Sequence, residues 1–209
     1  PIFRRYQEKA ARKRHFEVLK WMRLPILNSL SFDFFSHKET ESLSLKIKGK
    51  GLVSWKEGVV ISPGAGSEAK RWKIEGFVEV VSRLLDTTAL PIFIVGNPTE
   101  ISLGEKLSAL NSRRVINLAG EISLRELAAL TASAKLVLTN DSACMHLAYE
   151  LGRPVIALFG PTDAEKYGRE SKIWRIVREP DFQNLPSEKV FEACQGLLNG
   201  SKAVFSQRF

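Results

Sequence analysis

Residues 136–160 read LVLTNDSACMHLAYELGRPVIALFG, in which an apolar run, a helical pattern and a second apolar run follow one another directly. The apolar runs cover 136–140 and 154–160 and have the length of strands, while the helical pattern covers 142–151. Pro154 opens the second run, where proline disturbs a strand least. Apolar strands joined by a helix are typical of a parallel sheet that is covered on both faces. The segment therefore predicts one β-α-β unit.

The same alternation continues toward the N-terminus as far as residue 58. Further apolar runs of strand length lie at Val59–Ser62, Ala89–Gly96 and Val115–Asn117. Helical patterns lie at 71–85, 99–110 and 123–133. A capping box of Ser123 and Glu126 marks the start of the third of these helices. We also expect an edge strand at 174–177 and a last helix at 187–198. The predicted fold class is therefore α/β, a Rossmann-like parallel sheet with helices on both faces.

The basic charge of the protein is confined to its first quarter. Residues 1–56 hold 13 Lys or Arg against 5 Asp or Glu, which accounts for the whole net charge of +8, and the remainder is balanced. We expect a helix at 8–24, ended by Pro25, and then an irregular connector with at most one short strand over 26–57. Such a basic segment could bind nucleic acid, an anionic lipid surface or an acidic substrate. A solvated helix face is the commoner explanation of such a charge pattern.

Composition and motifs exclude several classes of protein. Hydrophobic residues make up 44% and charged residues 26%, as in ordinary globular domains, and the sequence holds neither a membrane-length apolar run nor a signal-peptide pattern. Two cysteines, Cys144 and Cys194, indicate a reduced, cytosolic compartment and cannot build a four-ligand zinc site. The histidines lack ligand spacing and no nucleophile elbow occurs, so neither a metal site nor a hydrolase is expected.

The loop after the strand at 59–62 is one candidate for ligand binding, since open parallel sheets bind ligands beyond the carboxyl ends of their strands. It reads SPGAGSEAKRW and ends at Trp72, which we expect to pack in the core. Its glycines let backbone approach a ligand, and Lys70 is a candidate charge for a phosphate. The loop is neither a Walker A nor a dinucleotide-binding motif, and a plain strand-to-helix turn explains its glycines equally well.

The loop after the strand at 136–140 is the more specific candidate. Asn140 or Asp141 is placed to cap the following helix, which leaves the amides of Ser142 and Ala143 free to hold a diphosphate. His146 lies one turn beyond Ser142 and shares its helix face. A simple helix cap also explains Asp141, and a core histidine explains His146. Their coincidence at the carboxyl end of a strand favours a ligand site.

Taken in order, these segments resemble the C-terminal half of glycosyltransferase family 9, the ADP-heptose:lipopolysaccharide heptosyltransferases. The resembling pieces are Ser62–Ser67, Lys70–Trp72, Ile94–Pro98, Leu118–Leu124, Asn140–Ala148 and Leu158–Thr162. The resemblance implies the C-terminal domain of a GT-B glycosyltransferase, in which two Rossmann-like domains meet and this one binds the sugar nucleotide. It also implies an inverting enzyme that needs no metal ion and no cofactor.

The resemblance further implies roles for individual residues. It places Lys70 at the donor phosphates, Glu100 on sugar or ribose hydroxyls, and the backbone of Ile122 against the adenine. The stretch around the sugar and diphosphate is matched by Asp141, Ser142, Ala143 and His146, with Ala143 in the position of the usual glycine.

The acceptor site and an aspartate general base belong to the N-terminal domain in this family, so the catalytic residues are expected outside this chain, which alone would be inactive. The resemblance implies that 1–57 is a basic helix and connector from that domain, that 58–180 binds the nucleotide sugar, and that 181–209 is a C-terminal helix and tail. The expected partners are an ADP-sugar donor, a lipopolysaccharide core acceptor and the anionic inner face of the bacterial inner membrane, with no nucleic acid and a cytoplasmic location. A non-catalytic nucleotide-binding module and a basic nucleic-acid-binding protein remain as alternatives.

Overall fold

Six parallel strands form one central sheet in the computed structural model, which describes residues 34–179 and 181–205. The strands are β1 (Val59–Ser62), β2 (Ile92–Ile94), β3 (Val115–Asn117), β4 (Leu136–Asn140), β5 (Val155–Phe159) and β6 (Trp174–Arg178). Their order across the sheet is β3-β2-β1-β4-β5-β6, which confirms the predicted strands, including the edge strand. The order reverses between β1 and β4, the switch point at which open α/β sheets bind ligands.

Helices connect the strands and cover the sheet. They are α1 (His37–Gly49), α2 (Ile74–Thr87), α3 (Ile101–Ser108), α4 (Leu124–Ser133), α5 (Ala143–Glu150), α6 (Ala164–Tyr167) and α7 (Ser187–Phe205), with short 3-10 turns at Glu68–Lys70, Pro98–Glu100 and Phe182–Asn184. The predicted helices between the strands and the predicted last helix are confirmed, whereas the helix expected at 8–24 lies outside the described residues. Within the described ranges, no helix has both the length and the hydropathy to cross a bilayer.

Alternate strand residues point into two separate layers of core. Val59 and Ile61 of β1 pack with residues of α2 and α7, whereas Val60 packs with residues of α1, α4 and α5. All three side chains are fully buried. Coverage of both faces explains why β1, β2, β4 and β5 are apolar except at the carboxyl ends of β1 and β4, and it confirms the predicted Rossmann-like architecture.

Helix α1 lies where the sequence led us to expect an irregular connector, and that expectation is wrong for residues 37–49. Ser36 and Glu39 form a capping box that starts the helix. Leu43 and Ile47, one turn apart, are fully buried in the core layer that α4 also lines. The lysine- and serine-rich composition concealed the helix because so few of its residues form the buried face.

A buried carboxylate joins α1 to α4. The side chain of Glu126 is only 5% exposed. It accepts hydrogen bonds from the backbone N–H of Ser123 (2.7 Å), the hydroxyl of Ser42 (2.7 Å) and the ammonium of Lys46 (2.9 Å). Burial by itself would raise the pKa of Glu126, but these hydrogen bonds outweigh it and lower the pKa to about 2.

This network makes folding stability depend on pH. Because the pKa of Glu126 in the folded protein lies below the ordinary value of 4.5, its stabilisation is complete above about pH 4.5 and is lost as the pH falls toward about 2. We expect Glu126→Ala to lower the free energy of unfolding by about 2 kcal/mol at neutral pH and to reduce the loss of stability in acid. Urea unfolding across this pH range measures both effects.

Glu121→Ala is the matched control, because Glu121 is 45% exposed and its carboxylate pairs with Lys50 at the surface. This substitution should lower the free energy of unfolding by less than about 1 kcal/mol and should leave its dependence on pH unchanged. If Glu126→Ala and the unsubstituted protein lose stability in parallel as the pH falls toward about 2, the network does not carry the acid dependence.

Candidate functional site

A cavity of about 290 Å³ lies at the carboxyl ends of the central strands. Its walls come from the loops that follow β1, β2, β3 and β4. Four of the residues that the sequence singled out line it: Glu100, Ile122, Ser142 and Ala143. The other three, Lys70, Asp141 and His146, are absent from its walls, although Asp141 directly precedes Ser142. The position of the cavity is therefore the one predicted for a ligand site.

Lys70 and Asp141 form an ion pair across two loops. The ammonium of Lys70 lies 2.9 Å from Oδ2 of Asp141, whose side chain is 6% exposed. Ser142 occupies the N-cap position of α5, but its hydroxyl bonds to the hydroxyl of Thr139 at 2.9 Å and not to the backbone of the helix. The expectation that Asn140 or Asp141 caps this helix is therefore wrong. Asp141 instead holds the lysine that was expected at the phosphates.

Glu100 is buried between two glycines. Its carboxylate accepts a hydrogen bond from the N–H of Asn97 at 2.9 Å and lies 3.7 Å from the guanidinium of Arg71. A methyl group on Gly64 would stand 1.9 Å from its Oε1, and one on Gly96 would stand 2.7 Å from its Oε2. These glycines thus make room for a side chain of this protein, a contact that the sequence pattern did not reveal because the residues are distant along the chain.

His146 stands on α5 one turn after Ser142, as its spacing predicted, and the backbone N–H of His146 bonds to the carbonyl of Ser142. The residue is exposed, so the core-histidine alternative is wrong. Desolvation lowers the pKa of His146 although the Asp141 carboxylate opposes it. The shift favours the neutral imidazole, which can donate one hydrogen bond and accept another.

Cys144 and Trp72 are structural, as the sequence predicted. Cys144 is buried at the start of α5, and burial raises the pKa of its thiol to about 12, which removes the thiolate needed for a nucleophile. Trp72 is 2% exposed, and its indole N–H donates to the carbonyl of Leu185 at 3.1 Å. Among residues 34–179 and 181–205, no three His, Cys, Asp or Glu side chains gather as metal ligands.

The contact of Glu100 with Gly64 generates a stability test with a control in the same loop. We expect Gly64→Ala to displace the buried carboxylate and to lower the free energy of unfolding by about 1–3 kcal/mol. Gly66→Ala should change it by less than about 1 kcal/mol, because a methyl group there would have nothing within 4 Å. Chemical denaturation measures both, and equal losses would mean that Glu100 is not fixed against the loop.

Curated relatives of this chain are lipopolysaccharide heptosyltransferases. Heptosyltransferase 2 of Salmonella typhimurium is 34% identical over 140 residues, which is 65% of this chain and 40% of that protein. The Escherichia coli K12 protein of the same name is 36% identical over 132 residues, 61% of this chain and 38% of that protein. The chain thus spans about two fifths of the length of these relatives.

Solved structures show the same architecture. The chain matches E. coli ADP-heptose LPS heptosyltransferase II with a TM-score of 0.69 at 26% identity, covering 80% of this chain and 53% of that one. It matches E. coli heptosyltransferase WaaC, solved with ADP, with a TM-score of 0.63 at 26% identity over 70% and 46% of the two chains. The family model described as glycosyltransferase family 9 (heptosyltransferase) matches residues 28–196. The resemblance read from the loops is confirmed, and this chain belongs to glycosyltransferase family 9.

Proposed function

We propose that this chain is the donor-binding part of a heptosyltransferase that transfers heptose from an ADP-sugar to a lipopolysaccharide core acceptor, with inversion and without a metal ion. The observation that carries the proposal is the cavity at the switch point between β1 and β4, walled by loops of a family 9 member. The relatives named as heptosyltransferases, and the WaaC structure solved with ADP, support this choice of donor.

The adenosine is proposed to occupy the side of the cavity formed by the loops after β2 and β3. Ile122, Leu124 and Leu127 supply apolar surface there, as a purine face requires. Glu100 lies in the same cavity and carries the carboxylate proposed to accept hydrogen bonds from ribose or sugar hydroxyls. Because Asn97 and Arg71 already hold this carboxylate, it would meet a hydroxyl without first being ordered.

The diphosphate is proposed to lie at the beginning of α5, beside Ser142 and Ala143. The first backbone N–H groups of a helix favour an anion, and Lys70 would add a positive charge. The ion pair with Asp141 keeps that ammonium beside the start of α5, and the carboxylate would accept hydrogen bonds from sugar hydroxyls. In an inverting displacement the departing diphosphate gains negative charge, and these donors would stabilise it. His146 would donate a hydrogen bond on the same helix face.

The acceptor side of the reaction is proposed to belong to a second domain. Transfer needs a base that removes the acceptor proton, and we propose that an N-terminal Rossmann-like domain supplies it, with 58–180 as the donor domain and 181–209 as helix and tail. The basic segment 1–57 is proposed to lead from that domain and to face anionic lipid at the cytoplasmic side of the inner membrane.

The first test is a calorimetric titration of ADP with excess chelator present. We expect binding to persist without a divalent cation, because Lys70 and the first backbone N–H groups of α5 are proposed to stabilise the negative charge of the diphosphate. A parallel titration with short duplex DNA distinguishes the basic nucleic-acid-binding alternative. Binding of DNA but not of ADP, or ADP binding that returns only with magnesium, would contradict the proposal.

The second test removes the charge proposed to meet the diphosphate. Lys70→Met should weaken ADP binding by about 10-fold or more, since a charge-assisted hydrogen bond to phosphate is worth about 1.5–3 kcal/mol. Lys135→Met is the matched control, because Lys135 pairs with Glu57 at 3.2 Å at the opposite end of β4. If the two variants bind ADP with equal affinity, Lys70 does not contact the diphosphate.

A further inference from the structure

The side chain of Asn140 joins the two ends of the loop that carries Lys70. Its amide nitrogen donates to the carbonyls of Pro63 (2.8 Å) and Gly64 (3.3 Å), where that loop begins. Its amide oxygen accepts the backbone N–H of Trp72 at 3.2 Å, where the loop ends. The residue is fully buried. One carboxamide therefore closes the loop from both sides.

The backbone of Asn140 is itself fixed by the sheet. It is the last residue of β4 and is paired with Leu158 of β5, and the next residue, Asp141, donates its N–H to the Leu158 carbonyl at 3.0 Å. The hydrogen bonds of the Asn140 side chain thus fix the loop relative to the end of β4. A carboxamide is required, because it presents a donor and an acceptor together, whereas a carboxylate accepts only and an apolar side chain does neither.

Three parts of the site depend on where this loop lies. Lys70 must reach Asp141, the residue next to Asn140. The Gly64 backbone must leave the space that the Glu100 carboxylate occupies. Gly64 also lines the cavity directly. A loop detached from β4 would move all of these groups together.

We propose that Asn140 is a positioning residue for donor binding, which holds the loop over 63–72 in register with the end of β4 so that Lys70 and Glu100 face the nucleotide. The inference rests on the proposed function, since ADP is the ligand by which it is measured. Asn140 itself need not touch the donor.

The experiment compares Asn140→Asp and Asn140→Leu with the unsubstituted chain by ADP calorimetry at about pH 8 and about pH 5.5. At the higher pH both variants should bind about 10-fold more weakly or worse, because buried carbonyls lose their donor. Burial raises the pKa of a carboxyl group, so the acid introduced at position 140 should be protonated at the lower pH and regain an O–H donor. Asn140→Asp should then recover relative to the unsubstituted chain, while Asn140→Leu should not.

The unsubstituted chain at each pH corrects for the charged groups near this position, which are Asp141 on the same segment with its partner Lys70, and Arg71 of the loop with its partner Glu100. Asn111→Asp controls for the new carboxylate, since the Asn111 side chain only accepts the Arg113 N–H at the start of β3. Its ADP affinity should be unchanged. Unchanged affinity of Asn140→Asp at the higher pH, or an equal deficit of both variants at both pH values, would overturn the assignment.

A second readout needs no nucleotide and so separates this inference from the proposed function. Limited acylation of the free proteins, with Lys135 as the internal reference, should modify Lys70 several-fold faster in both variants, because its pairing with Asp141 is loosened. That result would support the role of Asn140 even if ADP failed to bind the unsubstituted chain. An unchanged Lys70 to Lys135 ratio in folded variants would overturn it.

If neither variant folds, hydrogen exchange of the unsubstituted chain decides. The Trp72 amide, the donor to Asn140, should exchange as slowly as the Val137 amide within β4. Exchange as fast as that of the Gly66 amide would overturn the assignment.

Discussion

Burial of the sheet on both faces is the constraint from which the site follows. A strand packed between two layers of helices has no position at which a polar side chain reaches water, so polar residues are confined to its ends. In β4 the first three residues are Leu, Val and Leu, and the polar residues Thr139 and Asn140 come last. Both are fully buried and both bond to loops beyond the strand, Asn140 to the Pro63 carbonyl and Thr139 to the Ser142 hydroxyl, while the Thr139 hydroxyl also bonds to the Asn140 carbonyl within β4. The sheet therefore organises the site through the residues that terminate it.

Charge balance is the second principle of the site. Two consecutive residues of one loop, Lys70 and Arg71, lie against two carboxylates from different strand ends, Asp141 and Glu100. A carboxylate left unpaired beside a diphosphate would repel it, and one left unpaired in a cavity wall would be costly to bury. Pairing each with a cation from the same loop solves both problems. If the donor binds as proposed, the arrangement would leave carboxylate oxygens for sugar hydroxyls without repelling the diphosphate.

The sequence predicted the fold and the location of the cavity because both depend on local pattern. Apolar runs indicated every strand of the described sheet, and the seven candidate site residues lie in the loops that follow the strands or in the first turn of the next helix. The errors are tertiary in origin. Asp141 has the sequence context of a helix cap, yet it pairs with a lysine 71 residues away. Gly64 lines the cavity, but it also makes room for Glu100, which is distant along the chain. Helix α1 was missed because only Leu43 and Ile47 form its buried face, and the carboxylate that pairs with its Lys46, Glu126, is 80 residues away. No window of sequence contains these partners together.

Helix α1 also connects the N-terminal part of the described chain to the cavity wall. The ammonium of Lys46 binds the Glu126 carboxylate and donates to the backbone carbonyl of Glu121 at 2.8 Å. Glu121 immediately precedes Ile122, the residue proposed to meet the adenine. The ion pair crosses the proposed boundary at residue 58: Lys46 of α1 neutralises a buried carboxylate of the proposed donor domain, and uncompensated buried charge is among the costlier defects in a protein core. The α/β alternation begins at β1, but the packing that fixes the wall of the cavity begins with α1.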